Sequence, residues 1–215
     1  MKTLLATPCF DTLPTAFVIS LGQLIPANDY EQRFLTNTLI YDARNQLAQY
    51  AIDNGFDRIL WLDSDMVFEP DLFVSLSETL ENEDADLVTA LCFSRRAPNY
   101  RPCIYTKIGY QLDPDREVLD VVADTFWDYP EDSVFPVAAC GMAACLMTVD
   151  MVRGIRNKKG LPFSPEPGFG EDLSFCKKAG AMGYKMLCDS RIKVGHIGTV
   201  VVDETMYKAV RHGSD

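Results

Sequence analysis

The sequence predicts an α/β fold: a mostly parallel central sheet, covered by helices, with a small antiparallel addition. Two observations from the first half of the chain support this class. Apolar runs of strand length alternate with helical patterns up to Phe93, and the run Ile59–Leu62 is apolar at every position, as in strands buried on both faces. A third comes from the stretch between Ala97 and Val134, which is irregular and rich in Pro, Asp and aromatic residues, a composition that suggests short hairpins.

The first predicted elements are a strand, an apolar segment and a helix. Leu4–Thr7 has the composition of a buried strand, and a mixed apolar segment follows from position 13 to 25. Asp42 is a candidate N-cap for a helix that ends near Asp53, with Gly55 as its stop signal.

The next elements continue the alternation. After the strand Ile59–Leu62, Pro70 suits the first turn of a helix in which leucines recur every four residues, at 72, 76 and 80. Leu87–Phe93 is the following strand. Because βαβ units build parallel sheets whose ligands bind outside the carboxyl ends of the strands, we expect the functional site at that edge.

The second half of the chain predicts fewer regular elements. Val137–Val149 has strand-like character, and a helix is predicted from Glu171 to about Met182, with Gly183 ending it. Short strands at 185–188 and 192–194 follow. We expect one catalytic domain over residues 1–200 and a C-terminal tail, 201–215, that is a candidate lid.

Composition limits the class of protein. A chain of 215 residues that is 47% hydrophobic and 24% charged has the make-up of a globular domain with a sizeable core. The net charge of −11 argues against a DNA-binding surface, and no apolar run is long enough to cross a membrane. The opening "MKTLLATPCFD" favours a first strand over a signal peptide. Seven cysteines, an odd number without a CxxC pair, predict free thiols and a cytoplasmic location.

Paired carboxylates directly follow the buried strand in "RILWLDSDMVFEP". Asp63 and Asp65 would repel each other and lose hydration at the edge of an apolar core unless a cation lies nearby, and a wet loop is the alternative. Mg²⁺ and Mn²⁺ prefer such oxygen ligands and commonly share them with substrate phosphates. The pattern D-x-D also occurs at 84/86 and 113/115, where a charged connection and a Pro-containing turn predict solvated loops instead.

Four other positions carry candidate chemistry. Arg44 falls in the predicted first turn of a helix, where a cation is disfavoured by the dipole unless it shares an anion with the helix end; an exposed Arg without a role is the alternative. Glu171 and Asp172 follow two glycines at a helix start, where capping accounts for one acid and the second is a candidate general base. His196 stands between glycines and is either a ligand or a satisfied core residue, whereas His212 has no predicted role.

These residues together resemble the GT-A glycosyltransferases, particularly the family-2-like group and its small bacterial and phage members with a DxD motif. The resemblance covers about 190 residues. It rests on the order of "ATPCFD", "ARNQLAQYA", "ILWLDSDMVFEPD", "DLVTALCFSRR" and "GFGEDLSFCKKAGAMGYKMLCDSRIKVGHIG". It implies the GT-A fold, a Rossmann-like three-layer sandwich, and a Mn²⁺ or Mg²⁺ cofactor.

The resemblance also implies roles for individual residues. For donor binding, it places Thr7, Pro8 and Cys9 around the nucleobase, with Asp11 nearby. Arg44 would lie near the ribose or diphosphate, and Asp63 and Ser64 would also contact the donor. Gly141 and Met142 would lie beside the sugar. The implied metal ligands are Asp65 and His196, with Asp63 at the ribose or a metal-bound water. Asp172 matches the catalytic carboxylate, and Glu171 would bind donor or acceptor sugar.

The resemblance therefore implies a metal-dependent transferase that moves a sugar from a nucleoside diphosphate sugar, UDP-sugar favoured, to a hydroxyl. Two alternatives stay open: a nucleotide-sugar-binding module without turnover, and a nucleotidyltransferase, which is disfavoured because "TPCFDTLP" lacks a glycine-rich basic loop. The acceptor is open among a glycan, a protein, a lipid-linked sugar and a modified nucleic acid.

Two basic segments, "RGIRNKKG" and Arg95–Arg96, are interpreted as solvated loops, with local basic patches as the alternative. Trp127 either stacks on a sugar or packs as an ordinary aromatic residue.

Overall fold

The computed structural model describes residues 1–95, 100–113, 118–198 and 201–212. In the first part of the chain the elements are β1 (Lys2–Pro8), α1 (Thr15–Gln23), β2 (Asp29–Leu35), α2 (Ile40–Asp53), β3 (Arg58–Leu62), β4 (Met66–Phe68), α3 (Leu72–Asn82) and β5 (Leu87–Leu91). In the second part they are β6 (Ile104–Asp113), β7 (Val118–Thr125), β8 (Val134–Pro136), β9 (Ala139–Cys140), β10 (Ala144–Thr148), α4 (Val149–Lys159), α5 (Glu171–Gly180), β11 (Met186–Ile197), β12 (Val201–Val202) and α6 (Glu204–His212).

The central sheet has the strand order β12-β11-β5-β10-β3-β1-β2, with β4 and β8 also paired to β11. β2, β1, β3, β5 and the first part of β11 run parallel, and β10 enters antiparallel between β3 and β5. A second, small antiparallel sheet has the order β7-β6-β9. The predicted α/β class, mostly parallel with an antiparallel addition, is confirmed.

Helices cover both faces of the central sheet because successive strand residues point to opposite sides. On one face Leu4 packs in a core with Leu47 of α2 and Phe175 of α5. On the other face Leu5 packs in a second core with Phe17 of α1 and Leu76 of α3. The result is the three-layer arrangement implied by the resemblance.

Several element boundaries differ from the sequence prediction. β2, α1 and α4 were not predicted as regular elements, and "RGIRNKKG" is not a loop, since positions 153–159 belong to α4. α2 begins at Ile40, so Asp42 lies inside its first turn, and α3 is preceded by Asp71, which places Pro70 before the helix. The two short strands predicted at the end form one strand, β11, with an irregularity between Asp189 and Lys193.

The candidate lid contains β12 and α6. β12 pairs with the end of β11, and Tyr207 of α6 stacks on Phe93 with ring centroids 4.6 Å apart. Trp127 is exposed beside α6, and its carbonyl accepts a hydrogen bond from Arg211. Whether this segment moves over a ligand stays a prediction.

Candidate functional site

The turn after β3 places a carboxylate opposite a histidine from the other end of the chain. The Asp63 N–H donates to the Ala143 carbonyl (2.8 Å), and the Met66 N–H donates back to the Asp63 carbonyl (3.2 Å). This turn leads into β4, which pairs with β11 so that Met66 lies opposite His196. Asp65, at the tip of the turn, therefore faces His196.

Asp65 and His196 interact directly. Nε2 of His196 lies 3.3 Å from Oδ2 of Asp65, and Nδ1 lies 2.9 Å from the Phe93 carbonyl oxygen. Because a carbonyl only accepts, Nδ1 carries a proton and Nε2 is the nitrogen turned to the carboxylate. Burial opposes ionisation of Asp65, but its hydrogen bond to His196 and the charges of His196 and Arg95 hold its pKa below the usual value. Burial likewise lowers the pKa of His196, and its bonds to Asp65 and Phe93 more than offset this, so that pKa is raised.

Arg95, four residues after β5, contacts the same carboxylate. Its Nη1 lies 2.5 Å from Oδ2 of Asp65 and donates to the Ile197 carbonyl at 2.9 Å. The interpretation of Arg95 as part of a solvated loop missed this ion pair; Arg96 lies outside the described residues. The available signal was its position directly after a buried strand, at the edge where ligands bind.

Arg44 is a buried cation shared by two carboxylates. Its side chain is 2% exposed, with Nη2 2.8 Å from Oδ1 of Asp63 and Nε 3.3 Å from Oε1 of Glu171. The alternative of an exposed arginine is therefore wrong, and so is its placement in the first turn, because α2 starts at Ile40. Burial raises the pKa of Asp63 to about 6, and Arg44 limits the rise.

Asp172 lies at the start of α5, which follows Gly170 as the helix N-cap. Its Oδ1 accepts from the Leu173 N–H at 2.7 Å. Burial and repulsion by Glu171 raise the pKa of Asp172, which makes it a stronger base than an exposed aspartate. A side chain at Gly141 would begin 3.4 Å from Cβ of Cys103 and 3.9 Å from Oδ2 of Asp172, so Gly141 lies beside this carboxylate.

A cavity of about 380 Å³ opens beside the two aspartates of the DxD sequence. The residues that line it are Pro8, Cys9, Phe10, Thr38, Leu39, Ile40, Ala43, Asp63, Ser64 and Asp65. Of the residues implied for donor binding, Thr7 is instead buried and Asp11 exposed, and neither lines the cavity. Thr38, Leu39 and Ile40 were missed because β2, which leads to them, was not predicted.

A larger cleft of about 580 Å³ lies elsewhere, between α3 and β11. Its two cations are already paired: Arg191 binds Asp189 at 2.7 Å, and Lys193 binds Glu204 at 2.7 Å. The other charged residues that line the cleft, Glu69, Asp71 and Glu78, are carboxylates, so it offers a ligand no cation beyond these two paired ones.

The site at the sheet edge differs in position, because it lies at the carboxyl ends of the parallel strands, and its charges do not balance either. Four carboxylates (Asp63, Asp65, Glu171 and Asp172) face two guanidinium groups, Arg44 and Arg95. A diphosphate would meet net negative charge here unless a further cation came with it. The DxD sequence at 84/86 shows no such convergence, since Asp84 is exposed in the connection between α3 and β5, and Asp115 of the third lies outside the described residues.

No protein-family model and no curated protein matches the sequence. Solved structures do match the fold. The crystal structure of A197 from STIV is 20% identical, over 92% of this chain and 86% of that one, with a TM-score of 0.62. The structure of GalNAc-T7 with UDP, GalNAc and Mn²⁺ is 12% identical, over 92% of this chain and 44% of that one, with a TM-score of 0.59. The structure of S. aureus TarS 1–349 is 11% identical, over 88% of this chain and 58% of that one, with a TM-score of 0.52.

At these identities the likeness shows the fold, which is that of the GT-A glycosyltransferases. The chain spans less than half of the GalNAc-T7 chain and under two thirds of the TarS chain. Within the described ranges, no helix is long and apolar enough to cross a membrane.

Proposed function

We propose that this chain is a divalent-metal-dependent glycosyltransferase that takes its sugar from a nucleoside diphosphate sugar. One observation carries the proposal: four carboxylates converge with only two guanidinium groups at the carboxyl ends of the parallel strands, and two of the carboxylates, Asp63 and Asp65, line a cavity. That edge is where α/β sheets bind ligands, and a carboxylate excess suits a ligand that arrives with a cation.

The residues present fit Mn²⁺ or Mg²⁺. Asp65 offers a carboxylate oxygen, and His196 offers Nε2 because its Nδ1 proton is held by the Phe93 carbonyl, an arrangement typical of metal-binding histidines. Among the described residues no group of three or more His, Cys, Asp or Glu is arranged to hold a metal. Water and the donor's phosphate oxygens would therefore complete the ligands, with Asp63 at a metal-bound water or the ribose, and the bound ion would offset charge on the departing diphosphate.

The cavity suits the nucleoside part of the donor. Leu39, Ile40 and Ala43 provide an apolar wall, and Cys9 and Ser64 provide polar groups at its rim. Arg44 has a further NH₂ group, Nη1, that is buried without an acceptor among the described residues, so it retains hydrogen-bonding capacity. In this proposal the sugar lies toward Gly141 and Met142, near Asp172.

Asp172 is the proposed catalytic carboxylate. In an inverting transfer it accepts the proton of the acceptor hydroxyl; in a retaining transfer it stabilises positive charge on the sugar. Glu171 is fixed by Arg44 and is proposed to bind donor or acceptor sugar. UDP is the favoured nucleotide, and the presence of UDP and Mn²⁺ in the GalNAc-T7 structure supports that choice. The acceptor stays open.

The test is calorimetric titration of UDP and GDP with and without Mn²⁺. Wild-type protein is compared with Asp65→Asn and with Asp84→Asn, a matched change in a second D-x-D sequence. Asp84 is exposed and has φ of 47°, a conformation that Asn tolerates. We expect nucleotide binding that requires Mn²⁺, that is lost in Asp65→Asn and that is unchanged in Asp84→Asn.

Two results would contradict the proposal. If neither nucleotide binds under any metal condition, the site does not take a nucleoside diphosphate. If binding is equal without Mn²⁺ and in Asp65→Asn, the metal site is not part of it.

A further inference from the structure

The side chain of Arg95 occupies the carboxylate that the proposed metal needs. Its guanidinium lies 2.5 Å from Oδ2 of Asp65, and that same oxygen also faces Nε2 of His196 at 3.3 Å. A divalent ion bound to this oxygen would be about 2.1 Å from it and so next to the guanidinium. Two cations that close together repel strongly, so Arg95 and the metal exclude each other at Asp65.

Arg95 differs from Arg44 in how firmly it is held. Arg44 is 2% exposed and bound to two carboxylates, so it cannot leave without stranding buried charge. Arg95 is 48% exposed and has one carboxylate partner among the contacts described, together with the Ile197 carbonyl. Its release into solvent or to another anion is therefore inexpensive.

The planar guanidinium is well suited to a phosphate pair, because its N–H groups match two oxygens at once. A donor diphosphate bound with the metal would lie within reach of a side chain displaced from Asp65. Building on the proposed function, we propose that Arg95 is an exchangeable counter-ion. It neutralises Asp65 in the ligand-free protein and transfers to the diphosphate when metal and nucleotide bind together.

This exchange couples the two ligands. When the metal binds alone, it displaces Arg95 from Asp65 and the guanidinium gains no new anionic partner. When the metal binds with the diphosphate, the displaced guanidinium pairs with the diphosphate. By linkage, the nucleotide then raises metal affinity and the metal raises nucleotide affinity by the same factor. The coupling keeps the site from filling with metal when no donor is present.

The test measures Mn²⁺ binding by the electron paramagnetic resonance signal of free Mn²⁺, without nucleotide and with saturating UDP. The variants are Arg95→Met, Arg95→Lys and the control Arg153→Met. Arg153 is a comparably exposed arginine paired with Asp150 on α4, which begins at the opposite end of β10 from the site. We expect Arg95→Met to bind Mn²⁺ alone roughly tenfold more tightly and UDP in the presence of Mn²⁺ roughly tenfold more weakly. Arg95→Lys should fall between, and Arg153→Met should match wild type.

The outcomes separate this inference from the proposed function. If UDP and Mn²⁺ bind together and Arg95→Met changes neither affinity, the exchange is wrong and the proposed function stands. If Arg95→Met weakens Mn²⁺ binding without nucleotide, Arg95 supports the metal site instead of competing for it, and the exchange is again wrong. If wild-type protein binds UDP equally with and without Mn²⁺, the metal requirement fails and the exchange fails with it.

Discussion

Arg44 joins two parts of the site that are far apart in sequence. Asp63 ends a central strand, Glu171 begins α5, and the guanidinium bonds to both although Arg44 and Glu171 are 127 positions apart. A buried cation of this kind is costly to desolvate, so its value lies in fixing Asp63 and the start of α5 relative to each other. Asp172, the next residue, is positioned by the same contact.

At Asp63, burial opposes ionisation and pairing with Arg44 favours it, and the outcome predicts how the stability of the fold depends on pH. Its folded pKa of about 6 lies above the ordinary 3.8, so the stability it contributes is present below pH 4 and is lost as pH rises through 6. We expect metal-free Asp63→Asn to exceed wild type in unfolding free energy by about 1–3 kcal/mol at pH 8 and to equal it below pH 4. Urea denaturation across this pH range checks it. A variant less stable than wild type at pH 8 would show that pairing with Arg44 outweighs burial.

Asp172 distinguishes an enzyme from a binding module. We expect Asp172→Asn to lower the rate of sugar transfer, or of donor hydrolysis, by about 10²–10⁴-fold, because an amide cannot accept the proton or stabilise positive charge. The affinity for UDP with Mn²⁺ should stay within about threefold of wild type, since Asp172 is not in the cavity lining. Asp150→Asn, an exposed change on α4, is the control. Equal turnover in Asp172→Asn and wild type would assign the chemistry elsewhere.

At the scale of elements, α6 supports the site indirectly. Tyr207 is 3% exposed and stacks on Phe93, whose carbonyl holds Nδ1 of His196. Glu204, at the start of α6, bonds to Lys193 of β11 at 2.7 Å. The C-terminal helix thus stabilises the position of the strand that carries His196. This role is separate from the predicted movement of the C-terminal segment over a ligand.

The small sheet braces the loop before α5. Tyr110 of β6 donates to the Pro167 carbonyl at 2.8 Å and packs edge-to-face on Phe169. Gly168 in this loop has φ of +81°, and a side chain there would begin 2.2 Å from Cγ2 of Val121 in β7. Glycine is therefore needed for both conformation and space.

We expect Gly168→Ala to displace this loop and, through it, Asp172. Stability should fall by at least about 1 kcal/mol, because Ala disfavours positive φ and meets Val121. Transfer rate should fall more than UDP affinity, because the cavity is lined by other elements. Gly22→Ala is the control: its added methyl group meets nothing within 4 Å in α1, and helix propensity should raise stability slightly. Thermal melts and initial rates measure both, and equal behaviour of the two variants would refute the bracing role.

For the molecule as a whole, the core accounts for the cysteines. All seven are free, and five are buried between the layers: Cys92, Cys140, Cys145, Cys176 and Cys188. Burial raises the pKa of Cys145 and Cys188, which makes those thiols unreactive. A hydrogen bond from Cys92 lowers the pKa of Cys103, whereas burial raises that of Cys9.

We therefore expect a thiol reagent at neutral pH to modify Cys103 first, Cys9 more slowly and the other five only after unfolding. Mass spectrometry of the labelled peptides, with a denatured sample as the control for full labelling, identifies the order. Rapid labelling of a buried thiol would show that the layers open readily.

Elements with a strong local signal were predicted, and elements without one were not. β3 is apolar at four of its five positions, Ile59–Leu62, and α3 repeats leucine every four residues, so both elements have a clear local pattern. β2 is a partly exposed edge strand, Asp29–Leu35, with charged and polar side chains and no apolar alternation. α4 follows β10 without a break, so its apolar start was merged with the strand.

The sequence by itself determined the α/β class and placed Asp63, Asp65, Glu171 and Asp172 at the ends of elements, because hydrophobic period and end signals are local properties of the chain. The tertiary structure alone decided which of them meet. The pairing of β4 with β11 brings His196 to Asp65, and the packing of α2 and α5 on one face of the sheet gives Arg44 its two carboxylates. These contacts depend on strand order, register and helix packing, which are set by the whole core and not by any single segment.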